Sequence, residues 1–106
     1  MPNTWPISIT VLNNAGDMAY GVSVQHVSSG DKINWSSDSG SFTLTFRDSV
    51  LNEGLTIQST TVKPYTAFGT VKSGAPLGCH PYSVDAVYDA TGETHHDPAC
   101  PEIVVQ

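Results

Sequence analysis

The sequence predicts an all-β protein, an antiparallel Greek-key β-sandwich of seven or eight strands. Three observations carry this: apolar residues recur at period two, helical periodicity is almost absent, and turn-forming clusters punctuate the chain. Ile7, Ile9 and Val11 alternate with Ser8 and Thr10 and give a first strand after Pro6. Asn13-Asn14-Ala15-Gly16-Asp17 is a turn cluster. Val22, Val24 and His26 are read as the inner face of a second strand, ending at Ser28-Ser29-Gly30-Asp31.

Ile33 and Trp35 point one way on a short third strand, followed by a polar loop over residues 36–41. Phe42, Leu44 and Phe46 alternate with Thr43 and Thr45, the clearest strand of all. Residues 48–55 are the most helix-like stretch, but it is short and holds Gly54. Leu55-Thr56-Ile57 suggests a short edge strand, and residues 67–71 another strand. Tyr82, Val84, Ala86 and Tyr88 line one face of a further strand, and residues 102–105 close the chain. Between the last two, residues 89–101 read as a loop. The length of 106 residues predicts a single domain over 1–106.

Ten Asp plus Glu against four Lys plus Arg give a net charge of −6. Lys32, Arg47, Lys63 and Lys72 are scattered and form no basic patch, which excludes nucleic acid as a partner. No window is apolar enough for a membrane span. The first residues lack the basic and apolar regions of a secretory signal, so the expectation is a cytoplasmic protein or an exported mature domain.

Residues 78–106 hold both cysteines and three of the four histidines. Cys79 and Cys100 admit a disulfide, a metal role or two idle thiols. The structural reading is a disulfide closing a loop of about 20 residues, worth roughly 3 kcal/mol. A simple hairpin of residues 82–88 with 102–105 would set Cys100 near Tyr88, well beyond bridging distance from Cys79 unless the loop folds back. The metal reading uses Cys79, His95, His96 and Cys100 for copper or zinc. Adjacent residues of an extended chain face opposite ways, which works against both Cys79-His80 and His95-His96 as chelating pairs. Asp38, Asp89, Glu93 and Asp97 offer oxygen ligands for calcium, without a recognised loop spacing. No nucleophile elbow is present, and no catalytic residue is assigned.

The stretch Gly30-Asp31-Lys32-Ile33-Asn34-Trp35, the polar loop after it and Phe42-Thr43-Leu44-Thr45-Phe46 resemble the cupredoxins. Tyr82-Ser83-Val84-Asp85-Ala86-Val87 resembles their penultimate strand. The resemblance implies a cupredoxin-like sandwich, with an immunoglobulin-like one as the alternative. It places Phe42 where the family's first copper histidine stands, and Val84 and Asp85 where its cysteine is expected. His95 or His96 fits the loop histidine, while neither Met1 nor Met18 falls beside that loop. A blue-copper centre needs two imidazoles and a thiolate in one plane, and this set does not supply them.

The expectation is therefore a non-catalytic, metal-free binding or structural module without a cofactor. Its partner is an unidentified protein or small ligand. Recognition is expected at one end, through Ser36, Ser37, Asp38 and Ser39 with Glu93, His95, His96 and Asp97. Self-association through the uncharged, β-prone residues 56–62 is the further expectation for partners. Trp5 is expected to be the most exposed aromatic residue.

Overall fold

The computed structural model describes residues 3–12, 18–97 and 101–106. Among them are ten strands: β1 (Thr4–Val11), β2 (Met18–Tyr20), β3 (Val24–Val27), β4 (Lys32–Ser37), β5 (Phe42–Phe46), β6 (Thr56–Gln58), β7 (Tyr65–Thr70), β8 (Gly78–Tyr88), β9 (Glu93–Asp97) and β10 (Glu102–Val105). They form two facing sheets. One runs β2-β1-β4-β7; the other runs β3-β10-β8-β5-β6, with β9 added beside β8. No helix is long and apolar enough to cross a membrane among the described residues.

The period-two pattern builds the interior. Ile7, Ile9 and Val11 of β1 and Ile33 and Trp35 of β4 face Phe42, Leu44 and Phe46 of β5 and Tyr82, Val84 and Ala86 of β8, and all are buried. Trp35, Phe46 and Tyr82 make an aromatic cluster at the centre. Phe46 stacks on Tyr82 at 4.8 Å between ring centroids, and Trp35 meets Tyr82 edge-on at 5.9 Å. The Trp35 indole N–H donates to the Tyr82 hydroxyl at 3.2 Å, so neither polar tip is stranded in the core.

Asp31 pins the chain start to the opposite end of the sandwich from Phe42. Its buried carboxylate accepts from the Trp5 indole at 3.0 Å, from the Asn3 backbone at 2.9 Å and from the Ser28 backbone at 3.0 Å. Trp5 is consequently half-buried, against the expectation that it would be the exposed aromatic. At the same end His80 is buried, one ring nitrogen 2.9 Å from Asp48 and the other 2.6 Å from the Pro76 carbonyl.

The sequence expectation of seven or eight antiparallel strands needs correction in three places. Two pairings are parallel, β1 with β4 and β3 with β10, so both sheets are mixed. In β3 the inward residue is Val27, while Val24 and His26 face outward. Pairing with β10, where Val27 lies opposite buried Val105, sets that phase. Two short strands, β2 and β9, were not foreseen, because neither MAY nor ETHHD shows apolar alternation. Residues 48–55 are not helical.

Candidate functional site at the Phe42 end

Three segments meet at one end of the sandwich. The β4–β5 loop is only residues 38–41, since Ser36 and Ser37 belong to β4. The β8–β9 turn spans residues 89–92, and β9 runs back from it along β8. Gly92, at φ 75°, turns the chain, and its N–H donates to the Tyr88 carbonyl at 2.7 Å.

Backbone hydrogen bonds tie loop to strand. Val87 N–H donates to Ser41 O at 2.8 Å, and Asp89 N–H donates to Ser39 O at 2.8 Å. The approach is so close that a Cβ on Gly40 would stand 1.7 Å from the Val87 carbonyl oxygen, so no other residue fits there. Tyr65 at the start of β7 donates its hydroxyl to Asp89 at 2.7 Å. That bond, with burial and the carboxylate charge behind it, raises the Tyr65 phenol above its ordinary range. Ser39 Oγ accepts from the Val11 backbone at 2.9 Å, so the first strand also docks on this loop.

Register then decides which side chains stand side by side. Phe42 lies opposite Ala86, and Ala86 lies opposite His95 on its other flank. Cross-strand partners share a face, so Phe42, Ala86 and His95 form one row directed inward. The next row, Thr43, Asp85 and His96, faces out. There His96 Nδ1 contacts Asp85 Oδ1 at 2.5 Å. In the inward direction Asp97 accepts from Tyr20 of β2 at 2.5 Å, a bond between the two sheets. His95 Nε2 is buried without a hydrogen-bond partner, its nearest acid being Glu93 at 4.0 Å.

The chain is similar in fold to an oxidized methionine-to-lysine mutant of amicyanin, at 17% identity with a TM-score of 0.51, covering 93% of this chain and 80% of that one. It is similarly close to a Cu(I) form of a methionine-to-glutamine mutant of amicyanin, at 16% identity and a TM-score of 0.51 over 95% of this chain and 82% of the other. A Cu(I) form of a methionine-to-alanine mutant matches at 14% identity and a TM-score of 0.50 over 93% and 80%. The fold is cupredoxin-like. No family model matches the chain, and no curated protein matches it in sequence.

A cupredoxin-like frame raises the question of copper. The inward row at the Phe42 end presents a benzyl group, a methyl group and one imidazole, so two of its three positions offer carbon alone. These residues do not fit a centre built from two imidazoles and a thiolate. Of the alternative set of Cys79, His95, His96 and Cys100, the described members Cys79, His95 and His96 are not brought together either. His95 and His96 face opposite ways. Cys79 sits opposite Val104, seven positions from Ala86 along β8 and about 20 Å away. Among the described residues no three His, Cys, Asp or Glu side chains cluster as metal ligands.

Cys79 is an exposed, free thiol, and Cys100 lies outside the described residues. Residues 82–88 and 102–105 do not pair as a simple hairpin. Instead β10 pairs with the first part of β8, Glu102 opposite Pro81, while β9 takes the second part. Pro101 O accepts from Tyr82 N, three residues along the strand from Cys79 and about 10 Å from it.

Of the expected recognition residues, Asp38, Glu93 and His96 are exposed at this end, and Ser39, His95 and Asp97 are partly buried. Ser36 is paired inside β4, and Ser37 is buried with its hydroxyl 3.1 Å from that of Ser39. Both are corrections to the expected loop, because β4 runs two residues further than the polar sequence suggests. Tyr20 and Tyr65 complete the site and were not foreseen. Tyr65 follows a proline in an irregular stretch, and Tyr20 lies on a strand too short to show alternation.

Proposed function

We propose that this chain is a non-catalytic β-sandwich binding module that uses a cupredoxin-like frame without a metal centre. Recognition runs through the end where residues 38–41, residues 89–92 and the start of β9 meet. The observation that carries this reading is the inward row Phe42, Ala86 and His95, where two of three positions offer only carbon and one imidazole stands alone. What that end offers to a partner is acidic and polar: Asp38, Asp89 and Glu93 beside His96, all exposed. Loops held by a rigid scaffold are where such folds place recognition.

The test has two arms. Copper added to the purified protein is expected to develop no intense blue absorption, and His95→Ala is expected to leave any weak binding unchanged. One tightly held equivalent with that absorption, lost in His95→Ala, overturns the reading. In the second arm, Asp38→Ala combined with Glu93→Ala and His96→Ala should abolish binding of a partner retained by the Lys72→Ala protein, altered at the opposite end.

A second reading, surface coordination of copper or zinc, rests on His96. Asp85 engages one nitrogen of its ring, as outer carboxylates orient metal-bound imidazoles. One imidazole alone holds such ions weakly, and loss of that binding in His96→Ala is its signature.

A further inference from the structure

The flank between β6 and β7 is distinct from the loops at the Phe42 end, although Ser59 at its border is bonded to the Phe42 backbone. An open cleft of about 520 Å³ lies there, within the range of small-ligand sites. Its floor is buried Ile57 and Ala67. The two strands are the outer edges of opposite sheets, and they do not pair with each other.

Register shows what the cleft walls present. Leu55 and Ser59 exchange backbone hydrogen bonds with β5, Phe46 N–H donating to Leu55 O at 2.7 Å and Ser59 N–H to Phe42 O at 2.9 Å. By alternation the N–H and C=O groups of Thr56 and Gln58 point the other way, into the cleft. On β7 the outward backbone belongs to Thr66 and Thr70, which are bonded to Thr60, Asn52 and Glu53. Phe68, midway between them, therefore also directs its N–H and C=O outward. None of these three residues' edge groups takes a partner in the hydrogen bonds of the described residues. Beside them stands the Phe68 ring, 60% exposed.

The Thr60–Thr66 bond closes one end of the slot, and the bonds of Asn52 and Glu53 to Thr70 close the other. The four residue steps from Thr66 to Thr70 span about 13 Å. A peptide strand of ordinary length cannot lie along so short an edge without breaking those closures. A compact ligand fits, and its chemistry follows from the lining. No Lys or Arg lines the cleft, which disfavours phosphate or carboxylate ligands. The one charged lining residue, Glu53, already uses Oε1 to hold Thr70 N–H. What remains are hydroxyls, an amide, unpaired backbone donors and acceptors, and one exposed aromatic face.

We infer that this cleft binds a neutral, hydroxyl-rich ring, the pyranose unit of a free or protein-linked glycan. Its C–H face would stack on Phe68, and its hydroxyls would pair with the Thr56, Gln58 and Phe68 backbone. Hydroxyl groups can donate and accept at once, which suits a strand edge offering both kinds of group in alternation.

The experiment is amide NMR of the whole chain titrated separately with cellobiose, maltose and chitobiose. Glucose 6-phosphate and a short uncharged Ser/Thr peptide serve as comparison ligands. At least one neutral disaccharide is expected to shift the Thr56, Gln58 and Phe68 amides. Phe68→Ala should weaken that binding about tenfold or more, whereas Phe68→Trp should keep it and the Glu93→Gln variant should be unchanged. Because Phe68 is exposed, these variants are expected to fold, and their undisturbed core resonances would verify it. Absence of shifts with all three disaccharides overturns the inference. So does undiminished binding in Phe68→Ala, or a response to the peptide or the phosphate ester alone. A protein that passes here and fails at the Phe42 end retains this site and loses only the other.

Discussion

Tyr20 and Asp97 bridge the two sheets, the phenolic hydroxyl donating to the carboxylate at 2.5 Å across an edge that no strand pairing closes. Both residues lie on short strands, β2 and β9, that add little apolar surface to the core. A hydrogen bond to a charged acceptor is worth about 1.5–3 kcal/mol net when partly shielded from water. Tyr20→Phe is expected to lose roughly 1–2 kcal/mol of stability on that account. In a double-mutant cycle with Asp97→Asn the two losses should fall short of adding, by about 1 kcal/mol. Denaturant melts of the four proteins read this directly, and strictly additive losses would show that the pair does not couple the sheets.

Gly40 is the residue on which the candidate recognition end depends. An alanine Cβ would sit 1.7 Å from the Val87 carbonyl oxygen and 2.6 Å from its carbon, and both belong to strand backbone rather than to a flexible side-chain end. Gly40→Ala should therefore cost about 2–4 kcal/mol or push the loop away from β8. Amide exchange at Val87 and Asp89, whose N–H groups donate to Ser41 and Ser39, would distinguish the two routes. Gly74→Ala is the control: its added Cβ meets nothing, and its cost comes from a φ of 76° alone.

Asp31 makes stability depend on pH at the acid end. Burial by itself would raise its pKa, but the hydrogen bonds from the Trp5 indole and from the Asn3 and Ser28 backbones prevail. The net value lies below the ordinary 3.8. The unfolded chain thus takes up this proton at higher pH than the folded chain does. The stabilisation is complete above the unfolded value and is lost as pH falls toward the lower folded one. Chemical denaturation between about pH 5 and pH 2 should show a falling limb. In Asp31→Asn that limb should be shallower, by a fraction of a proton up to one, and the protein about 1–3 kcal/mol less stable at neutral pH. An unchanged slope in the variant would remove Asp31 from the account.

How much of this was legible beforehand follows from where apolar alternation is strong. Ile33 and Trp35, Phe42 to Phe46, and Tyr82 to Ala86 were read in correct phase, because each strand is buried on one face and its partners demand that register. The likeness to cupredoxins rested on those same stretches, and the frame is indeed cupredoxin-like. β9 was invisible because Glu93-Thr94-His95-His96-Asp97 owes its extended form to the ladder with β8 and to the Tyr20 bond, both long-range. For that reason a histidine expected on a loop, His95, proved to flank Ala86 inside the edge. β3 was misread in phase because an edge strand leaves Val24 exposed, so apolar character alone did not mark the inner face. The cleft beside Phe68 had no local signal at all, since it arises from two edges that are distant in sequence.

Trp35 and Tyr82 give the last prediction. Burial drives the Tyr82 phenol up to about 12, only partly countered by the Trp35 N–H that it accepts. The unfolded chain ionises this tyrosine near its ordinary value of 10.0, so stability is lost as pH climbs from there toward the folded value. Tyr82→Phe keeps the ring that stacks on Phe46 at 4.8 Å and removes the alkaline slope that Tyr82 contributes. It also leaves the Trp35 N–H without its acceptor in the core, which should cost about 1–3 kcal/mol at neutral pH. The expected signature is a variant less stable than the parent at pH 7, with a gap that narrows above about pH 10. A gap that stays constant across that range would mean that the Tyr82 hydroxyl ionises as readily in the fold as outside it.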